Sequence, residues 1–82
     1  MTPEEIFKKM QTLISDQFSI DEDEIALSTS FADDIRADSV DLVELVMAME
    51  DEFELDEIEE DELAQLKTVG DCVKFLSGKL NQ

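Results

Sequence analysis

Asp38-Ser39-Val40-Asp41-Leu42-Val43-Glu44-Leu45-Val46-Met47-Ala48-Met49-Glu50-Asp51-Glu52-Phe53 is the stretch on which the reading of this chain turns. At about 100° per residue, Leu42, Leu45, Val46, Met49 and Phe53 fall on one face of a helix. The spacing predicts a helix that starts at Asp38-Ser39 and runs to about Phe53. Asp38 suits the N-cap, and Asp41, three residues on, places a carboxylate where the helix dipole is positive. The five-residue face is core. Val40, Val43 and Met47 form a second apolar stripe nearly opposite, flanked by Glu44, Glu50 and Asp51. An ordinary amphipathic helix has one apolar stripe and a polar back. This one is apolar on its back too, and acids rim that outer stripe.

Upstream, Thr2-Pro3-Glu4-Glu5 reads as a capping box with proline at the first helical position. Ile6, Met10, Leu13 and Ile14 then recur at helical spacing, and the helix should fade near Gln17–Phe18. Residues 19–37 show no sustained period. They predict a long loop pinned to the core by Ile20, Ile25, Leu27, Phe31 and Ile35; loops of this length are uncommon and often functional. Downstream, a short helix is expected over about Glu60 to Leu66, with Leu63 and Leu66 inward. Thr68-Val69-Gly70-Asp71 resembles a capping box with Asp in place of Glu, and Val69, Cys72, Val73, Leu76 and Leu80 share the face of a last helix. No β-alternation, internal repeat or linker stands out. The expected fold is all-α: a small bundle of three main helices plus one short helix, with a long loop between the first and second helices. Residues 1–82 are expected to form one domain.

Charge narrows the function. The chain carries 23 Asp and Glu against 6 Lys and Arg, a net −17. Such a surface repels nucleic acid and anionic membranes and favours basic protein partners. Acidity alone could mean disorder, but 43 % of the residues are hydrophobic and they are periodically placed. No signal peptide or membrane-length apolar run is evident, so a cytoplasmic location is expected. The lone Cys72 cannot form a disulfide within the chain and reads as a small buried hydrophobe. With no His there is no Ser–His or Cys–His pair, and no glycine-rich phosphate loop occurs. No catalytic residue and no metal ligand set is therefore assigned, and the protein is not expected to be an enzyme.

Ser39 remains. Serine at a helix start usually only caps. Here Asp38 can cap, which leaves the Ser39 hydroxyl free to point outward. A phosphate ester at this place would face unpaired N–H groups and the positive end of the helix.

Ala37-Asp38-Ser39-Val40-Asp41, with Val43-Glu44-Leu45-Val46-Met47-Ala48-Met49-Glu50-Asp51-Glu52-Phe53 behind it, closely resembles the attachment motif and second helix of bacterial acyl carrier proteins. Ser30-Phe31-Ala32-Asp33-Asp34-Ile35 resembles the segment before that motif, and Glu57-Ile58 and Lys67-Thr68-Val69 resemble its third-helix region. The resemblance spans about Ile6 to Leu80. It implies that Ser39, next to Asp38, receives 4′-phosphopantetheine from coenzyme A through a separate Mg²⁺-dependent transferase, and that the arm's thiol holds acyl groups as thioesters. A bare serine needs such an outside base and metal. Four features depart from the family pattern: Arg36 in place of Gly, Val40 in place of Leu, Glu59 in place of Pro, and one extra residue between Phe53 and Ile58.

On this reading Val40, Val43 and Met47 dock into partner enzymes while Glu44, Glu50 and Asp51 pair with basic residues there. Met suits a surface that fits several partners, and the acids steer encounter. The competing reading is that the second stripe covers another helix. Leu45, Met49, Ile58, Leu63 and Leu66 are candidates to line a slot for the acyl chain. The partners expected are a phosphopantetheinyl transferase and acyl-processing enzymes with basic patches; the carrier itself is expected to be monomeric. Type II fatty acid synthesis is the pathway expected, with a polyketide, peptide-synthetase or D-alanyl carrier as the alternative. Two readings outside the carrier class are weaker. A calcium sensor has only the run Asp21-Glu22-Asp23-Glu24 and lacks the Gly-containing loop such sites need. A plain acidic interaction module predicts no modification of Ser39.

Overall fold

A computed structural model describes residues 2–80. Helix α1 spans Pro3–Phe18, α2 Ser39–Glu52, α3 Glu60–Leu63 and α4 Val69–Leu80. No strand occurs among the described residues; one isolated bridge pairs Ser30 with Thr68.

The predicted caps form. Thr2 Oγ1 accepts the Glu5 N–H at 3.2 Å, and Glu5 Oε1 accepts the Thr2 N–H at 2.9 Å. The Thr2 N–H, with the Thr2 hydroxyl adding to it, holds the Glu5 carboxyl below its ordinary pKa. At the head of α4, Thr68 Oγ1 accepts the Asp71 N–H at 3.1 Å, while Asp71 Oδ2 accepts both the Thr68 and the Lys67 N–H at 3.1 Å. Both backbone bonds lower the Asp71 pKa.

Most of the core comes from the helical faces read from the sequence, with Ile25, Phe31, Phe53, Ile58 and Leu66 added from the connections, while Leu13, Leu42 and Leu80 are only partly buried. α1 gives Ile6, Met10 and Ile14, α2 gives Leu45, Val46 and Met49, and α4 gives Val69, Cys72, Val73 and Leu76. Each of the Ile, Leu, Val and Met side chains contributes about 1.5–3 kcal/mol when fully buried. α1 packs against both α4 and α2. Burial pushes the Cys72 thiol, 1 % exposed, up to about 12, with the neighbouring Asp71 charge adding to it.

Two local expectations are corrected. Leu27 is not an apolar anchor of the long loop; its side chain is 51 % exposed. Its backbone does the anchoring instead, the Leu27 carbonyl accepting the Gly70 N–H at 2.8 Å. A Cβ on Gly70 would stand 3.0 Å from that same carbonyl oxygen, so a larger residue would need the loop to give by a few tenths of an ångström. The third helix is shorter than Glu60 to Leu66. After Leu63 the chain tightens, with i→i+3 bonds from Gln65 N–H to Glu62 and from Leu66 N–H to Leu63. Leu66 is nevertheless buried and Leu63 half-buried. The long loop also holds a one-turn 3₁₀ helix at Glu22–Glu24 that the aperiodic sequence did not signal. Gln11 Nε2 secures it from α1 by donating to the carbonyls of Glu22 and Ile25.

Candidate functional site at the head of α2

The long loop delivers the chain to Ser39 along a fixed route. Phe31, 2 % exposed, is its anchor. The Phe31 N–H donates to the Lys67 carbonyl at 3.0 Å, and the Phe31 carbonyl accepts the Ala37 N–H at 2.8 Å. The backbone just ahead of Ser39 thus hangs from a buried ring tied to the α3–α4 connection. Between these ties Arg36 takes a left-handed conformation, φ 60°. That is unfavourable for any residue with a Cβ.

Asp38 then caps α2. Its Oδ1 accepts the Asp41 N–H at 2.9 Å, and Asp41 Oδ2 accepts the Asp38 N–H at 3.2 Å. From α1, Gln17 Nε2 donates to the Asp41 carbonyl at 2.7 Å. The first turn of α2 is therefore fixed from the front by its own acids and from behind by another helix.

Ser39 is the first residue of α2 and is exposed. Because Asp38 performs the capping, the Ser39 hydroxyl makes no hydrogen bond within the described residues, and the N–H groups of Ser39 and Val40 also lack partners there. An ester formed here meets free donors and the positive end of a 14-residue helix.

Along the outer face of α2, Val40, Val43 and Met47 are 63 %, 49 % and 61 % exposed. At that exposure the stripe is not closed over by another helix among the described residues, although Val43 and Met47 border α3. Glu44 and Asp51 are exposed beside them. Glu50 is half-buried, and its Oε2 accepts the Ile58 N–H at 2.7 Å. It thereby clasps the α2–α3 loop to the back of α2, a role the sequence reading missed. Two grooves flank α3. One, about 190 Å³, runs along Val43, Val46, Met47, Ile58 and Leu63 and is also lined by Glu50, Glu57 and Glu60. The other, about 390 Å³, is lined chiefly by Phe31, Leu42, Leu63 and Leu66. It reaches the first turn of α2 at Leu42, three residues from Ser39. Of the candidate slot residues, Ile58, Leu63 and Leu66 line these grooves. Leu45 and Met49 are closed in the core.

Residues 8–76 match the phosphopantetheine attachment site family. The chain is 51 % identical over 81 residues to the acyl carrier protein of Petrotoga mobilis, covering 99 % of this chain and 94 % of that one. It is 49 % identical over 76 residues to that of Lactobacillus acidophilus, covering 93 % and 94 %. This chain belongs to the acyl carrier protein family. Among solved structures it is similar to the acyl carrier protein of Enterococcus faecalis, with a TM-score of 0.78 and 35 % identity over 95 % of this chain and 98 % of that one.

Acyl carrier proteins are carriers rather than enzymes, and membership implies a covalently bound 4′-phosphopantetheine. It likewise implies dealings with a phosphopantetheinyl transferase and with acyl-processing enzymes. The head of α2 fits such a group on its own terms: an exposed serine hydroxyl without an internal hydrogen bond, free N–H donors and a favourable dipole. No helix among the described residues is long and apolar enough to cross a membrane.

Proposed function

We propose that this chain is a single-domain carrier loaded at Ser39, serving dissociated fatty acid synthesis in the cytoplasm as a monomer. When bound, the arm supplies a terminal thiol that holds acyl groups as thioesters. The observation that carries the reading is the exposed Ser39 hydroxyl, released from capping by the Asp38–Asp41 box. The chain's own residues do three things. Asp38 and Asp41, braced by Gln17, hold the serine at the head of α2. The free N–H groups there receive the phosphate oxygens. The apolar outer stripe and its acids present the site to partners.

Val40, Val43 and Met47 are read as the docking surface, with Glu44 and Asp51 pairing with basic residues across the interface. Glu50 joins them with one carboxylate oxygen already committed to Ile58. Apolar residues at the centre of a contact supply affinity, and rim charges supply rate and salt dependence. The grooves flanking α3 are read as the entry for the acyl chain, and deeper burial beside Leu45 and Met49 requires them to part. Each CH₂ taken from water there contributes at most about 0.8 kcal/mol. The choice of fatty acid synthesis rests on the likeness of α2 to carriers of that kind.

Fragmentation mass spectrometry of the loaded protein tests the attachment point. The added mass should map to Ser39; a group on Ser28 or Ser30 would overturn the assignment. For docking, Glu44→Lys should slow loading and acyl transfer at low salt and leave the melt nearly unchanged. Unchanged rates would contradict the proposed surface.

A further inference from the structure

Arg36 is out of place in two ways. It is the only Lys or Arg between Lys9 and Lys67, in the most acidic part of the chain. Its backbone also sits at φ 60°, where glycine would be free of strain and arginine is not. Backbone strain alone assigns no role. The surrounding charges narrow it. Two ion pairs occur among the described residues, Lys9–Glu52 and Lys79–Glu62, and Arg36 is in neither. Its acidic neighbours are mostly engaged with the backbone: Asp34 Oδ2 accepts the Ser30 N–H at 2.7 Å, and Asp38 and Asp41 accept each other's N–H. Each of these carboxylates keeps a second oxygen, so Asp34, Asp38 and Asp41, with Asp33 three residues before it, are the local competitors for the guanidinium. Arg36 is an exposed residue and is in no ion pair among the described residues.

Ser39 lies three residues further along. The Ala37 N–H is tied to Phe31, and Asp38 is extended at φ −91°, ψ −177°. The separation of the two Cα atoms cannot exceed about 10–11 Å. An extended arginine side chain and a phosphate ester on Ser39 close that span from opposite ends. Guanidinium is the side chain best matched to phosphate oxygens.

We propose that the Arg36 guanidinium binds the phosphodiester joining the arm to Ser39 and so holds the root of the arm against the head of α2. The inference rests on the attachment reading above. Arg36 is a positioning residue here, and the chemistry recognised is a phosphate monoanion. The same oxygens could come from coenzyme A before transfer, so the test separates the two sources.

The Arg36 Nε–H resonance is followed in isotope-labelled apo protein, in apo protein titrated with coenzyme A without transferase, and in holo protein. Folding equilibrium constants are measured for apo and holo forms of wild type, Arg36→Gln and Arg36→Lys. Gln keeps the Cβ, so backbone strain is matched. The resonance should move in the holo form and stay in place with free coenzyme A. The holo-to-apo ratio of folding constants should fall about two- to fivefold in Arg36→Gln, the size of an exposed charge pair, and recover in part in Arg36→Lys. A holo resonance that does not move, together with equal ratios in wild type and Arg36→Gln, overturns the inference and leaves the attachment reading intact. A shift with free coenzyme A and none in the holo form overturns it too, placing the guanidinium on the incoming phosphates. Failure of the wild-type chain to load overturns both readings.

Discussion

Replacing Glu50 with alanine takes away the acceptor of the Ile58 N–H, and the cost can be worked from the structure. The bond is 2.7 Å long, its acceptor is a carboxylate, and Ile58 is 9 % exposed. The bond is part-buried, so water replaces the acceptor only in part. Hydrogen bonds to charged groups contribute about 1.5–3 kcal/mol. Against this stands relief of repulsion. Residues 37–66 contain 13 acids and no Lys or Arg, and one like charge at about 8 Å in water is worth about 0.5 kcal/mol before screening. With one or two such neighbours relieved, the net loss is about 1–2 kcal/mol. At about 4–8 °C per kcal/mol for a domain of this size, the melting temperature should fall by roughly 4–16 °C. Glu50→Gln separates the two effects, because its amide oxygen still accepts while the charge is gone. It should melt within a few degrees of wild type, and at low salt no lower. The assay is thermal melting of apo wild type and both variants, at low ionic strength and at about 0.15 M, where screening falls to about 8 Å. An alanine variant as stable as wild type in the salted buffer would show that the clasp holds nothing.

Four further outcomes follow from other parts of the molecule. Arg36→Gly should raise the stability of the apo protein by about 0.5–1 kcal/mol, because the relieved left-handed strain of about 1–2 kcal/mol exceeds the extra unfolded-state freedom of glycine; denaturant titration reads it. Asp38→Ala removes the acceptor of the Asp41 N–H and should cost about 1 kcal/mol, checked by the same titration. Above pH 9 the unfolded Cys72 thiol ionises while the folded one, pushed up to about 12, stays protonated. Stability should therefore fall between pH 9 and 12, with this group contributing up to about 1.36 kcal/mol per pH unit, and Cys72→Ala should flatten that part of the profile. Salt or millimolar divalent cations should raise the melting temperature by screening the acidic stretch, and a melt unmoved between low salt and about 0.15 M would refute it.

The helices were legible because local chemistry and global packing agree in them. Thr2–Glu5 and Thr68–Asp71 announce their caps, and the Leu45–Met49 and Val69–Leu76 spacings announce the core faces. The head of α2 was legible for the same reason: Asp38, Ser39 and Asp41 are neighbours in sequence as well as in space. What sequence did not reveal depends on distant partners or on backbone angles. Gln17 reaches Asp41 across 24 residues, and nothing in its neighbourhood signals that. The spacing of Glu50 groups it with the docking acids; only the return of the α2–α3 loop shows its bond to the Ile58 N–H. Arg36 in place of the family glycine is visible in the sequence, but its left-handed φ of 60° is visible only in the structure. Leu27 misled because an apolar residue in a loop suggests a buried side chain, whereas here its carbonyl makes the contact.

The central claim is that α2 offers one hydroxyl for loading. Intact mass should be recorded after incubating the protein with coenzyme A, Mg²⁺ and a phosphopantetheinyl transferase, beside a Ser39→Ala control. The account predicts a gain of one phosphopantetheine on the wild-type chain and none on the control. An unmodified wild type, or a control that gains the same mass, would contradict it.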